Sequence, residues 1–192
     1  MKVFGLTGGV GMGKSVSAQL LRDRGVPVVD TDELARKVVE PGQRALAEVQ
    51  QVFGKEIVGP DGQLRREDLA RIVFADAVAR KRLEDILHPR IRDLWRAQVE
   101  TWRHEGKPLA VVVIPLLFET RAETELDAVI CVACTAATQR QRLQARGWTP
   151  EQIEQRIQAQ WPIGKKMELA HYVVWTEAGL DVQAQQLGRI IL

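Results

Sequence analysis

Cysteine is scarce in this chain, with two in 192 residues, and no second Cys or His pair lies near them. Cys131 and Cys134 have C-x-x-C spacing, but they lie in and just after the apolar run 128–133. That context reads as small buried side chains on a strand rather than a metal or redox pair, and it fits a reducing cytoplasm. Net charge is also scarce: 27 basic against 25 acidic residues leave +2, which argues against bulk nucleic-acid binding. No apolar run has the length of a membrane span, so no membrane association is expected. The opening MKVFGLTGG lacks the pattern of a signal peptide, and a strand starting there leaves no room for a targeting segment. Finally, no N-K-x-D follows a later strand. The corresponding stretch is Cys131-Val132-Ala133-Cys134-Thr135, which excludes a guanine-reading switch protein.

What is present is concentrated near the N-terminus. Gly8-Gly9-Val10-Gly11-Met12-Gly13-Lys14-Ser15 matches G-x-x-x-x-G-K-[ST]. It follows the run Val3-Phe4-Gly5-Leu6 and precedes a helical pattern over 16–24. Strand, glycine loop and helix are the setting in which backbone N–H groups form an anion nest. Glycines permit φ > 0 and a close approach to phosphate, and the helix N-terminus adds free donors. Lys14 is expected on the β- and γ-phosphates and the Ser15 hydroxyl on Mg²⁺. Gly8, Gly9, Gly11, Met12, Gly13 and Val16 complete the expected nucleotide contacts, with Val16 using its backbone N–H. A plain connecting turn would need neither the lysine nor the hydroxyl.

The length suits one α/β domain with insertions, and 45% hydrophobic residues support a core. Strands are expected at 2–7, 27–29, 109–114, 128–133 and 172–175, alternating with helical patterns. This predicts a parallel five-stranded sheet flanked by helices. Ligands on such sheets bind at the carboxyl ends of the strands. That rule groups the glycine loop with Asp30-Thr31-Asp32 and with the stretch 115–119. The stretch 33–108 is too long for one crossover helix. Turn signals at Pro41-Gly42 and Pro60-Asp61-Gly62, with helical patterns at 66–74, 78–87 and 89–104, mark a helical insert. His88-Pro89 reads as a helix break.

Residues 136–170 form a second helical region. A helix at 138–146 carries Arg140, Arg142 and Arg146, with Gly147 as its stop. Thr149-Pro150-Glu151-Gln152 reads as a capping box with proline at the first helical position. Arg156, Lys165 and Lys166 follow. Most of this basic face reads as solvated surface. Arg142, Arg146 and Arg156 are the better candidates for carrying positive charge to a transferring phosphoryl group.

An alcohol acceptor also needs a proton acceptor. Asp32, just beyond the second strand, is favoured, with Asp30 or Thr31 free to cap the next helix. Glu119 is placed either to hold a Mg²⁺-bound water, to contact the acceptor, or simply to close a turn. His88 reads as structural. A shikimate-, gluconate- or nucleoside-monophosphate-type kinase is the nearest rival, and the long insert speaks against it.

Over nearly its whole length the chain resembles the dephospho-coenzyme A kinase family. The resemblance rests on the glycine loop, Asp30-Thr31-Asp32, Val39-Glu40-Pro41-Gly42, Leu87-His88-Pro89-Arg90-Ile91-Arg92, Pro115-Leu116-Leu117-Phe118-Glu119 and Arg156-Ile157-Gln158-Ala159-Gln160. It implies transfer of the ATP γ-phosphoryl group to the ribose 3′-hydroxyl of dephospho-CoA. It implies a nucleotide core at 1–39, 109–135 and 171–192, a substrate domain at 40–108 and a lid at 136–170. It makes Asp32 the general base, with Lys14 and Arg142 as further catalytic residues and Arg146 as a nucleotide contact. It implies a cytoplasmic monomer or small homo-oligomer that uses Mg²⁺. Thr176 stands where the family usually has Asn, which shifts adenine recognition towards backbone groups.

Overall fold

A computed structural model describes residues 1–191. Its centre is a five-stranded parallel sheet in the order β2-β3-β1-β4-β5. The strands are β1 (Lys2–Gly8), β2 (Val28–Asp30), β3 (Leu109–Val113), β4 (Ala128–Ala133) and β5 (Tyr172–Trp175). All four pairings are parallel: β1 lies between β3 and β4, β2 flanks β3, and β5 flanks β4. The expected strands are therefore all present, with no end shifted by more than one residue.

Burial explains the sheet. β3 reads Leu-Ala-Val-Val-Val and β4 reads Ala-Val-Ile-Cys-Val-Ala, and β4 is buried at every position. A strand covered on both faces needs no polar alternation. On one face Phe4, Leu6, Val111, Val113, Ile130, Val132 and Val174 form a core with Ala18 and Leu21 of α1 (Lys14–Arg22) and Leu187 of α9 (Leu180–Ile191). Each fully buried leucine there contributes about 1.5–3 kcal/mol. On the other face a Cβ at Gly5 would meet Leu117 Cδ1 at 2.5 Å and Leu126 Cδ1 at 2.6 Å.

The chain divides into two compact units, residues 1–30 with 99–192, and residues 31–98. The second unit is helical: α2 (Thr31–Lys37), α3 (Arg44–Phe53), α4 (Arg66–Ala75) and the larger part of α5 (Ala77–His104). It has its own core of Val49, Ile57, Leu69 and Val73, against which Leu83, Ile86 and Leu87 pack.

The helix break expected at His88-Pro89 does not occur. Pro89 lies inside the continuous α5. Proline inside a helix costs about 3 kcal/mol or more through a lost hydrogen bond and a clash. Burial outweighs it, because half-buried or buried apolar residues continue at helical spacing on both sides, at Leu83 and Leu87 before and Ile91 and Trp95 after. Arg90 strengthens the turn by donating to the Ile86 carbonyl and to Glu48 Oε1, the latter at 2.7 Å. His88 sits in this helix, and burial is the main cause that lowers its pKa.

The region after β4 contains α6 (Ala136–Gln144), α7 (Pro150–Gln158) and α8 (Ile163–Leu169). Thr135 caps α6, which starts and ends two residues earlier than the expected 138–146. The capping box of α7 forms as read: Thr149 Oγ1 accepts from the Gln152 amide at 3.3 Å, and Gln152 Oε1 accepts from the Thr149 amide at 3.1 Å.

Candidate active site

The glycine loop leaves the carboxyl end of β1 and enters α1 directly. Two glycines are required by geometry. A Cβ on Gly8, at φ 145°, would collide with the Val132 carbonyl oxygen of the neighbouring strand. Gly13 caps α1 in the left-handed region at φ 94°, which turns the chain so that the helix opens onto the loop. Lys14 arches back, and its Nζ donates to the Gly8 carbonyl at 2.9 Å and the Gly9 carbonyl at 3.0 Å. Ser15 and Val16 lie exposed on the first turn of α1. Gly9, Gly11 and Met12 are buried.

Arg142 lies close to this loop but through an intermediary. Its guanidinium donates to Thr176 Oγ1 at 2.9 Å and to the Thr176 carbonyl. Thr176 Oγ1 in turn donates to the Met12 carbonyl at 3.1 Å. A guanidinium on α6 is thus connected to the loop by the turn after β5. Arg146 is exposed just beyond α6. The Arg156 guanidinium stacks over the Trp148 ring, 4.2 Å from its centroid, which joins α7 to the α6–α7 turn.

Glu119 is not a free carboxylate. Its Oε1 accepts from the Trp161 amide at 2.8 Å and pairs with Lys166 Nζ at 2.8 Å. Its Oε2 is buried without a hydrogen-bond partner. Lys166, read from the sequence as solvated surface, is completely buried. It also donates to the Pro115 carbonyl at 2.8 Å. Only its place on α8, between Ile163 and Met167 at helical spacing, hinted at an inward direction. Cys131 is buried on β4, in register with Thr7 of β1. Burial pushes its thiol up to about 11, against the opposing pull of Lys166 and Lys14. Cys134 is likewise buried and free, so neither thiol is a ready nucleophile.

Asp30 ends β2 opposite Val113. Asp32 follows two residues later, exposed in the first turn of α2 beside Glu33. Asp32 belongs to the helical unit, whereas the glycine loop belongs to the sheet unit.

The donors suit a nucleotide with its cation. Glycine amides and Lys14 supply positive potential for phosphate, and Ser15 presents a hydroxyl at the helix start. No group of three or more His, Cys, Asp or Glu converges among the described residues. A cation bound beside phosphates, as hard Mg²⁺ is, would find the Ser15 hydroxyl as an oxygen ligand here.

A parallel sheet with this loop at the end of its central strand defines a P-loop nucleotide-binding protein. The family model described as dephospho-CoA kinase matches residues 2–181. A dephospho-CoA kinase of Anaeromyxobacter dehalogenans is 44% identical over 192 residues, covering 100% of this chain and 91% of that one. The crystal structure of TT1252 from Thermus thermophilus superposes with a TM-score of 0.82 at 34% identity, over 99% of this chain and 96% of that one. A dephospho-CoA kinase from Campylobacter jejuni shares the fold, with a TM-score of 0.71 at 24% identity over 98% and 94% of the two chains. The chain belongs to the dephospho-CoA kinase family, P-loop kinases that phosphorylate dephospho-CoA with ATP in coenzyme A biosynthesis.

Proposed function

We propose that this chain transfers the γ-phosphoryl group of ATP to the ribose 3′-hydroxyl of dephospho-CoA, the last step of coenzyme A formation. The observation that carries the reading is the Gly8–Ser15 loop, with Lys14 folded over it by its bonds to the Gly8 and Gly9 carbonyls. Phosphoryl transfer asks mainly for positioning and charge stabilisation, and this loop supplies both.

The amides of the loop and the N-terminus of α1 hold the phosphates, and Lys14 exchanges its carbonyl partners for phosphate oxygens. Ser15 would hold Mg²⁺, which would neutralise charge on the phosphates. The 3′-oxygen forms a bond to the γ-phosphorus while the bond to the β–γ bridging oxygen breaks and ADP leaves. The Asp32 carboxylate takes the hydroxyl proton. Its place supports this role: it follows the end of a sheet strand by two residues and is exposed. Arg142 and Arg146 belong to a lid at 136–170, with Arg146 exposed for nucleotide contact and Arg142 acting in catalysis at the loop it reaches through Thr176. Residues 40–108 take dephospho-CoA, and the enzyme works in the cytoplasm as a monomer or small homo-oligomer. In the described residues no helix is long and apolar enough to cross a membrane.

The test is coupled ADP release with Mg-ATP, comparing dephospho-CoA with shikimate, gluconate and nucleoside monophosphates. Turnover with dephospho-CoA alone, giving a product phosphorylated at the 3′-position, is expected. Turnover with another acceptor instead would sink the reading.

A further inference from the structure

One amide of the glycine loop is already spent. The Val10 N–H donates to Gln160 Oε1 at 3.0 Å. The carbonyl of the same residue accepts from Gln139 Nε2 at 2.8 Å. Gln139, on α6, is 5% exposed. Gln160 lies just past α7, at the point where the chain turns back towards α8. Two glutamines from different elements therefore hold Val10 from both sides.

The neighbours of Gln160 are anchored as firmly. Trp161 donates its amide to Glu119, and Lys166 donates to both Glu119 and the Pro115 carbonyl, all at 2.8 Å. Thr7 Oγ1 reaches the same Pro115 carbonyl at 3.2 Å. Glu119 and Pro115 follow β3, and Val10 follows β1, and these strands are hydrogen-bonded neighbours. Residues 160–166 thus fasten the loop after β1 to the loop after β3. Within the loop the Met12 amide donates to the Gly9 carbonyl at 3.2 Å, whereas Val10 is held on both sides by side chains from outside it.

We propose that Gln160 is a positioning residue for phosphoryl transfer: by accepting from the Val10 amide it sets the geometry of the glycine loop and ties it to the segment returning from α7. The proposal rests on the reading that this loop holds the transferring phosphates. Its physical basis is orientation, since a displacement of about 1 Å at a reacting centre can cost about a hundredfold in rate. ATP binding also draws on Lys14 and the rest of the loop, which Gln160 does not touch, so the loss should fall on kcat rather than on KM for ATP.

The test uses Gln160→Met, which keeps size and removes the acceptor, Gln139→Met, and the double variant. Hydrogen exchange at the Val10 amide is followed without nucleotide, and steady-state kinetics with dephospho-CoA and ATP. Gln160→Met is expected to speed Val10 exchange about tenfold, lower kcat about tenfold or more, and leave KM for ATP within about threefold. The double variant should be little slower than the slower single one, because both act on one residue of the loop. A kcat within about twofold of the parent, additive losses, or a rise confined to KM for ATP each overturns the proposal. Should Gln160→Met fail to fold, Gln160→Glu keeps an accepting oxygen and must keep Val10 exchange slow; fast exchange there overturns it. A parent chain that does not turn over dephospho-CoA would fail the functional reading instead, and the exchange measurement would still decide the Val10 contact.

Discussion

Arg142 donates twice to Thr176, to its hydroxyl at 2.9 Å and to its carbonyl, and Thr176 passes one bond on to the Met12 carbonyl. A guanidinium read as a phosphate contact therefore also holds the turn after β5 against the glycine loop. Arg142→Ala is expected to lower kcat/KM for ATP about tenfold to a hundredfold, read by steady-state kinetics. Arg142→Lys should not restore it, since a single ammonium cannot make the two-pronged contact. An unchanged kcat in both variants would make Arg142 a structural residue alone.

Asp32→Asn should separate chemistry from binding. It removes the proton acceptor and leaves the glycine loop intact, so kcat should fall about a hundredfold or more while the Kd for ATP stays within about twofold. Single-turnover rates and nucleotide titration measure the two quantities. A lost ATP affinity with kcat preserved would assign Asp32 to metal binding or structure.

Lys166→Met should be costly to the fold. The change leaves Glu119 buried without its cation, and breaking a buried pair typically costs about 3–5 kcal/mol. For a chain of this size that lowers the melting temperature by on the order of 10 °C, measurable by calorimetry. Lys166→Met combined with Glu119→Gln should recover part of the loss, because the stranded charge is gone. A melting temperature unchanged in the single variant would show that the pair contributes nothing net.

Glu177 carries a pH dependence. Its carboxylate accepts from the Thr135 hydroxyl and amide, from Thr138 Oγ1 and from Trp175 Nε1. The Thr135 and Thr138 hydroxyls are the main causes that hold its pKa down to about 2, against an ordinary 4.5. A carboxylate depressed in the folded state stabilises above the unfolded pKa, and that share is lost as pH falls from about 4.5 to about 2. Unfolding curves should show Glu177→Gln less stable than the parent near neutral pH, with the gap closing over that acid range. A gap that stayed constant down to about pH 2 would contradict the assignment.

Much of this molecule was legible without coordinates because its signals are local. The strands announced themselves as apolar runs, the α7 capping box as four residues, and the phosphate loop as a pattern set by backbone requirements. Pro89 misled for the opposite reason: the local penalty is real, but apolar residues on both sides of it are buried at helical spacing, and that balance is tertiary. Lys166 misled likewise, since a lysine beside another lysine reads first as solvated surface, and its full burial comes with the Glu119 and Pro115 partners that packing supplies.

By itself, the sequence determined the parallel sheet, the glycine loop at its centre and the kinase family, because each depends on residue types at short, regular spacing. Only the tertiary structure decided that Glu119 pairs with Lys166, that Arg142 reaches the loop through Thr176, and that Gln139 and Gln160 grip Val10. These contacts join residues from 34 to 164 positions apart. Their partners are chosen by where the packed sheet and helices bring side chains together, and no spacing along the chain encodes that.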